Sequence, residues 1–157
     1  MAKTNINTKT STSTNTIDVK VVGAHGELYN GAAQMVVATA YNGEIGVKPK
    51  HAPFIAMLKP GQVVIHNNDA SDEQVFYVSG GIIEVQPNLV TILADDAQRA
   101  TDIDEAKAEK AKSNARKILA DKSDTMDYAK LQAQLTQSLA QLRALKRLKS
   151  QADRRRN

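Results

Sequence analysis

Few residues of this chain have the chemistry and spacing of a catalytic or metal site. The chain has no cysteine, which excludes disulfides, thiolate metal sites and cysteine nucleophiles. Its three histidines, His25, His51 and His66, stand in turn-rich segments without a second metal ligand or triad partner at helical or strand spacing. The last glycine is Gly81, ahead of the helical part of the sequence, which excludes a glycine-rich phosphate loop opening a helix. We therefore expect a protein that is not an enzyme by itself and has no metal site and no required cofactor.

The strongest chemical feature is instead a basic C-terminal segment. From Tyr128 to Asn157 the chain has eight Lys and Arg residues against one acid, Asp153, which gives +7; since the whole chain is +4, the remainder is −3. Such a segment favours an acidic partner, which charge alone leaves open as nucleic acid, anionic lipid or an acidic protein surface. No apolar run approaches the ~18 residues that span a bilayer, so membrane association would require a partner.

Glycine and proline divide the chain into two kinds of sequence, because both are absent after Pro87. Residues 1–16 are almost entirely Thr, Asn, Ser and Lys, which predicts a disordered polar tail, and the lack of Arg argues against a transit peptide. Residues 17–97 hold short apolar runs between turn signals, which is typical of an antiparallel β-sandwich or barrel. Residues 98–157 lack turn signals and form the predicted helical domain.

Strand and turn positions follow from local patterns. Ile17, Val19 and Val21 alternate with polar residues, as expected of a strand with one buried face. Further strands are predicted at Met35–Ala38, Phe54–Leu58, Val63–Ile65, Val75–Val78, Ile82–Val85 and Leu89–Leu93. Turns are predicted at Asn30-Gly31, Asn42-Gly43, Pro60-Gly61, Asn67-Asn68-Asp69, Gly80-Gly81 and Pro87-Asn88.

The helical domain contains two predicted helices that separate at residues 121–124. Asp102 and Glu105 have capping-box spacing, and small or apolar residues follow on one face: Ala108, Ala111, Ala115, Ile118 and Leu119. A leucine stripe marks the second helix: Tyr128, Leu131, Leu135, Leu139, Leu142, Leu145 and Leu148. An alanine face beside a leucine face predicts an antiparallel helical hairpin. The second helix, at roughly 35–40 Å, is long for the module, so we expect a marginal hairpin that is able to open.

Several motifs, in order, resemble the ε subunit family of bacterial F-type ATP synthases, equivalent to the mitochondrial δ subunit. They are Gly43–Pro53 (GEIGVKPKHAP), Lys59–Gly61, Tyr77–Pro87 (YVSGGIIEVQP), Val90–Asp95, Ile103–Ala108 (IDEAKA), Asp127–Ala129 and Gln141–Ala144. The resemblance covers about residues 17–149 and leaves out the N-terminal tail. It implies an α+β fold, an antiparallel β-sandwich followed by a C-terminal two-helix hairpin.

The resemblance also implies a function and partners. A member of this family is a non-catalytic part of the central rotor, wedged between the γ subunit and the ring of c subunits, and it transmits torque between ion flow and ATP synthesis. In many bacteria the helical domain extends along γ, contacts the α and β subunits and blocks ATP hydrolysis. The expected location is peripheral, on the cytoplasmic face of the bacterial inner membrane.

Three sets of residues match functional positions of the family. Asn42, Gly43, Glu44 and His51 correspond to the loop that contacts the c ring, although a structural turn role for His51 is an equal alternative. Ile103, Asp104, Lys107 and Ala108 overlap an ATP-binding pattern that has Arg where this chain has Lys107. Because lysine lacks the planar guanidinium fork, we expect ATP to be at most a weak regulatory ligand, and an ordinary helix surface is the preferred interpretation.

Arg143, Lys146, Arg147 and Lys149 form the third set, and we expect them to pair with acidic residues of the α and β subunits. Two rival functions remain open at this point. A nucleic-acid-binding module with a basic arm would need stacking aromatics, yet the chain shows no clustering of the kind found in RNA-recognition sheets. A free-standing ATP sensor would need measurable ATP binding by the isolated chain.

Overall fold

The computed structural model describes residues 15–67, 73–120, 128–154 and 156. Within these residues the strands are β1 (Ile17–Gly23), β2 (Gly26–Ala33), β3 (Met35–Ala40), β4 (Gly43–Val47), β5 (Phe54–His66), β6 (Glu73–Val78), β7 (Gly81–Val85), β8 (Leu89–Ala94) and β9 (Ala97–Arg99). A short 3₁₀ helix (Ala100–Asp102), α1 (Glu105–Ala120) and α2 (Tyr128–Arg154) follow. Residues 1–14 of the predicted tail lie outside the described residues. The predicted separation of the two helices at 121–124 lies outside them as well.

The strands form one continuous network that folds over a central core. The order is β2-β1-β8-β7-β5-β3-β4, while β6 pairs with β5 and β9. In the described part of the chain the pairs are antiparallel, except that β1 and β8 run parallel. The predicted alternation of β1 is confirmed, since Ile17, Val19 and Val21 are buried in this core. The fold class predicted from the sequence, a β-sandwich followed by two helices, is confirmed.

The predicted turn at Pro60-Gly61 is wrong, because Phe54–His66 is a single strand. Its first half pairs with β7, with Leu58 opposite Gly81, and its second half pairs with β6, with Gly61 opposite Val78. The neighbouring strand β3 shifts register between Ala38 and Ala40 at this junction. Proline is tolerated in a strand where it need not donate to the ladder, and here it stands where β5 changes partners.

The predicted turn at Asn30-Gly31 is also wrong. Both residues lie inside β2, where Asn30 is opposite Lys20 and Gly31 is opposite Val19. The β1–β2 hairpin turns instead at Ala24-His25, between the paired residues Gly23 and Gly26. Strands β2, β4 and β9 were not predicted, because β2 and β4 contain glycines that interrupt the apolar pattern and β9 has only three residues.

The Gly80-Gly81 turn is confirmed, and it is a backbone requirement. Both glycines have positive φ, +146° and +126°, in a region that side chains disfavour. A Cβ added to Gly81 would lie 2.1 Å from the Leu93 carbonyl oxygen. Ser79 completes the turn, since its Oγ accepts a hydrogen bond from the Asp96 amide at 2.9 Å.

The start of α1 differs from the prediction in its capping residue. Asp102 belongs to the 3₁₀ helix, whereas Asp104 caps α1 by accepting a hydrogen bond from the Lys107 amide at its Oδ1, at 3.0 Å. A carboxylate at this position satisfies a free amide and interacts favourably with the helix dipole. The cap therefore stands two residues later than the sequence spacing had indicated.

Helix α2 lies between α1 and the sheet, over β5 and β6. Its buried residues are Ser138, Ala140, Ala144, Leu145 and Gln151, rather than the whole leucine stripe. Of these, Ala140, Ala144 and Leu145 belong to a second apolar cluster with Val64, Val75, Tyr77, Ala100 and Ile103, and Leu142 and Leu148 pack beside it. The predicted alanine face of α1 is confirmed at Ala108 and Ala115, which are buried. The described helices include none long and apolar enough to cross a membrane.

Candidate interaction surfaces

Four apolar side chains form an exposed strip on the outer face of strands β5, β7 and β8. Ile55 and Met57 are 71% and 64% exposed, and Ile82 and Leu93 are 44% and 52% exposed. Met57 is directly opposite Ile82, and Ile82 is directly opposite Leu93, so the side chains are neighbours across three strands. Tyr41 adjoins this apolar strip, because its amide donates a hydrogen bond to the Met57 carbonyl at 3.1 Å. Contiguous exposed apolar surface of this kind marks a site of association.

Sequence reasoning missed the apolar strip. The signal was present, since Phe54–Leu58 (FIAML) is apolar at successive positions and not at alternate ones. Alternate residues of a strand point to opposite faces, so a run that is apolar throughout has two faces to cover. The core covers one of them, where Leu58 is buried.

The residues predicted to contact the c ring fall into two places. The β3–β4 hairpin turns at Tyr41-Asn42, between the paired residues Ala40 and Gly43. Gly43, with a φ of +125°, begins β4, and Glu44 follows with an exposed side chain. His51 lies beyond the other end of β4, separated from Glu44 by roughly 10 Å of extended strand before the chain turns. The structure therefore does not bring His51 together with the turn.

His51 is held in a defined loop of its own. Its Nδ1 lies 2.9 Å from the Ala52 carbonyl oxygen, and its ring packs against Phe54 with centroids 5.2 Å apart. Lys50 beside it has a φ of +65°, an uncommon conformation for a residue with a side chain. Its amide donates a hydrogen bond to the Pro87 carbonyl at 2.8 Å, which fastens the loop to the β7–β8 turn.

The four residues of the predicted ATP pattern line one cleft between α1 and α2. The cleft has a volume of about 400 Å³ and also includes Asp102, Gln134, Gln137 and Gln141. Ile103 and Ala108 are buried in the packing of the helices, so they offer little surface to a ligand. The cleft is lined by two acidic residues, Asp102 and Asp104, and by one cation, Lys107. This excess of negative charge disfavours binding of a phosphate group.

The four basic residues predicted to contact the α and β subunits have different surroundings. Arg147 pairs with Glu73, its Nε 3.2 Å from Oε2, and Lys149 pairs with Glu105, its Nζ 2.6 Å from Oε2. Arg143 and Lys146 are exposed and, among the described residues, have no acidic partner within ion-pair distance. Two of the four cations are therefore engaged by acids of the same chain.

Glu73 is a second functional candidate that sequence reasoning missed. It begins β6 directly opposite His66, whose Nδ1 lies 3.3 Å from Glu73 Oε1. Its main-chain oxygen accepts a hydrogen bond from Gln151 Nε2 at 3.2 Å. A contact across 74 residues leaves no local pattern in the sequence, so only the fold could identify it.

Tyr77 lies beneath α2 with its hydroxyl buried and without a hydrogen-bond partner of ordinary geometry in the described part of the chain. Burial, and then the negative charge of Asp96, raise its pKa to about 12, while the Gln137 side chain acts in the opposite direction. Phe76, its neighbour, is buried in the core. Neither ring is available for base stacking, which removes support from the nucleic-acid interpretation.

Comparison with known proteins gives matches along both parts of the chain. The family described as "ATP synthase, Delta/Epsilon chain, beta-sandwich domain" matches residues 16–100, and "ATP synthase, Delta/Epsilon chain, long alpha-helix domain" matches residues 101–146. ATP synthase epsilon chain 1 of Methylococcus capsulatus is 52% identical over 130 residues, covering 83% of this chain and 92% of the relative. An ATP synthase epsilon chain of Xanthomonas campestris is 51% identical over 135 residues, covering 85% and 95%.

Solved structures give the same fold at low sequence identity. A chain in the cryo-EM structure of the Euglena gracilis mitochondrial ATP synthase matches with a TM-score of 0.75 and 18% identity, covering 92% of this chain and 91% of that chain. A chain of the central stalk and c ring of the Tetrahymena thermophila mitochondrial ATP synthase matches with a TM-score of 0.53 and 15% identity, covering 82% and 96%.

Proposed function

This chain belongs to the delta/epsilon-chain family of ATP synthase, and from this we propose that it is the epsilon subunit of the central stalk. As such it is a non-catalytic part of the rotor, which couples ion flow through the c ring to ATP synthesis together with γ. The support is that both family domains match in order and that close relatives named ATP synthase epsilon chain align along more than nine tenths of their own length.

The apolar strip is the surface that we assign to γ. An apolar strip on a folded subunit is suited to a permanent partner, because obligate interfaces are more apolar than the rest of a protein surface. The β3–β4 turn with Glu44 adjoins the strip through Tyr41, which suits a subunit wedged between γ and the polar loops of the c ring. Attachment through these partners would hold the chain at the cytoplasmic face of the bacterial inner membrane.

The helical domain is the part that we assign to control of ATP hydrolysis. The observation that carries this assignment is the character of the surface between α2 and the sheet. The fully buried residues of α2 are small or polar apart from Leu145, namely Ser138, Ala140, Ala144 and Gln151, while Leu142 and Leu148 are only partly buried. The contact therefore buries a limited apolar area of the helix. Helix α2 can therefore separate from the sheet. The separated helix would present its basic face to acidic residues of the α and β subunits.

Deletion of residues 124–157 tests the control of hydrolysis. We expect the truncated subunit to assemble, because the β-sandwich core is separate from the helix-sheet cluster. ATP hydrolysis by the assembled complex should rise severalfold relative to the full chain. Unchanged hydrolysis in a complex that retains the truncated subunit would overturn the inhibitory assignment and leave the rotor assignment standing.

ATP is at most a secondary ligand in this proposal. Its support is only that Ile103, Asp104, Lys107 and Ala108 line one cleft, and the acidic balance of that cleft weighs against it. Calorimetry on the isolated chain tests this point directly. Absence of binding at millimolar ATP would remove both the regulatory ligand and the free-standing ATP sensor.

A further inference from the structure

We propose that Glu73 and Glu105 take the place of acidic residues of the α and β subunits while α2 is docked on the sheet. These two glutamates and the α/β subunits would then compete for Arg147 and Lys149 of α2. The inference rests on the proposed function and adds the mechanism by which the inhibitory helix is held back. Its basis is that the same two cations named as partner contacts are already paired with acids of this chain. Arg147 and Lys149 can pair with acidic residues of the α and β subunits only after their pairs with Glu73 and Glu105 break. Docking of α2 on the sheet and inhibition of ATP hydrolysis by α2 therefore exclude one another.

The contact at Glu73 is the more protected of the two. Arg147 donates from Nε to Oε2 at 3.2 Å and from Nη2 to Oε1 at 3.4 Å, an approach with two nitrogens that suits a carboxylate. The Glu73 side chain is 13% exposed and that of Arg147 is 34% exposed. Gln151 hydrogen-bonds to the main chain of the same residue one turn further along α2. Residues from two consecutive turns of α2, Arg147 and Gln151, are therefore hydrogen-bonded to Glu73, the first residue of β6.

The contact at Glu105 joins the two helices to each other. Lys149 donates from Nζ to both carboxylate oxygens, at 2.8 and 2.6 Å, and both side chains are more than half exposed. Glu105 is the first residue of α1, where the helix dipole also favours a negative charge. Exposure and salt weaken such a pair, so we expect it to hold α2 less firmly than Glu73 does.

The two remaining cations give a partner a way to begin the exchange. Arg143 and Lys146 lie on the same helix with exposed side chains and no acidic partner among the described residues. An acidic surface can therefore attract them while α2 is still docked. Release of Arg147 and Lys149 follows once the partner supplies enough negative charge to replace Glu73 and Glu105.

Amide hydrogen exchange in the isolated full-length chain tests the internal pairing. An isolated helix is marginally stable in water, so release of α2 from the sheet raises exchange along residues 140–148. We expect about tenfold faster exchange in Glu73→Gln, because it leaves Arg147 unpaired at a partly buried site. In Glu105→Gln the increase should be about twofold, as for an exposed pair. Exchange in Glu73→Gln that equals the unmodified chain would overturn the inference.

A matched control is available in α1. Glu109 forms an exposed ion pair with Lys112 at 2.8 Å within the same helix, away from the contact between α2 and the sheet. Glu109→Gln removes the same charge and should leave exchange along residues 140–148 unchanged. An equal rise in this control would mean that net charge, and not the two specific pairs, governs docking, and would contradict the inference.

ATP hydrolysis by the assembled complex separates this inference from the proposed function. Glu73→Gln combined with Glu105→Gln should lower hydrolysis severalfold, because the freed helix inhibits more. If deletion of residues 124–157 raises hydrolysis but the double variant leaves it unchanged, the competition is wrong and the inhibitory function stands. If the deletion itself has no effect, the inhibitory function is wrong, and faster exchange in the double variant would still establish the internal pairing.

Discussion

Met57 and Ile82 are directly opposite one another on β5 and β7, and both side chains are more than two fifths exposed. In an isolated subunit this pair costs free energy, because apolar surface remains in water. The backbone hydrogen bonds of both strands are satisfied within the sheet, so the pair is not needed to hold the strands together. Its exposure is best accounted for by a partner that covers it.

Met57→Asp with Ile82→Asp should abolish stable association with γ. Two charges at the centre of an apolar contact must be desolvated without a counter-ion, which weakens binding by several kcal/mol, or about a thousandfold or more. The isolated variant should keep the stability of the unmodified chain within about 1 kcal/mol, because both positions face solvent. Co-purification with γ and thermal unfolding measure the two effects.

Tyr128→Asp is the matched control for the apolar strip, since it also replaces an exposed apolar residue, at the first position of α2. It should retain γ. Full retention of γ by the Met57 and Ile82 double variant would show that the strip is not the γ surface.

Tyr77 should make the folded chain sensitive to alkaline pH. Its pKa is about 12 in the folded state and about 10 when unfolded, so the unfolded chain loses the proton first as pH rises. The stabilisation is complete below pH 10 and is lost between about pH 10 and 12, with a loss on the order of 2 kcal/mol. Urea unfolding at a series of pH values should show a smaller loss for Tyr77→Phe over this range.

Phenolate absorbance gives an independent measurement on the same residue. Of the four tyrosines in the sequence, Tyr77 should ionise late in the full chain. Deletion of α2 should move its pKa towards 10, because the helix covers the ring. An unchanged titration after the deletion would mean that the sheet alone buries the hydroxyl.

Lys107→Arg should raise the affinity for ATP about fivefold. A guanidinium donates to phosphate oxygens with two nitrogens, which the ammonium of Lys107 cannot do, and the difference is worth about 1 kcal/mol. Calorimetric titration of the isolated chain measures it. Lys110→Arg, on an exposed position of α1 that does not line the cleft, should leave the affinity unchanged.

Gly81→Ala should destabilise the sandwich by roughly 3 kcal/mol or more. The positive φ disfavours a side chain, and the new Cβ would meet the Leu93 carbonyl oxygen of the paired strand. Gly46→Ala is the control, since no atom lies within 4 Å of its added Cβ and its φ is not positive. Denaturant unfolding should show little change there, and equal losses at the two sites would refute the steric explanation.

Local patterns predicted the parts of the fold that depend on neighbours in sequence. The alternation of β1, the alanine face of α1 and the Gly80-Gly81 turn are confirmed, because each is fixed within a few residues. The turn at Pro60-Gly61 failed for a non-local reason: a proline and a glycine are compatible with a strand where that strand changes partners. Asn30-Gly31 failed similarly, since pairing with β1 extends β2 through a dipeptide that favours turns.

The residues through which α2 contacts the sheet could not be predicted from the sequence, because this contact is also non-local. Periodicity identified the leucines of α2 as its buried face, but of that stripe Leu145 alone is fully buried, and Ala140 and Ala144 are buried with it. Which face is buried depends on the shape of the surface that receives the helix. The ion pair between Glu73 and Arg147, from residues far apart in sequence, follows from that arrangement.

Strand β5 has a mechanical consequence for a rotating subunit. Ile55 and Met57, on its first half, belong to the exposed apolar strip, while Val64, on its second half, packs in the cluster beneath α2. A force applied to one end of β5 is transmitted to the other end through the covalent backbone of its thirteen residues. Its transmission does not depend on hydrogen bonds between separate strands. If the apolar strip binds γ as proposed, a single continuous backbone joins that interface to the part of the sheet that packs against α2.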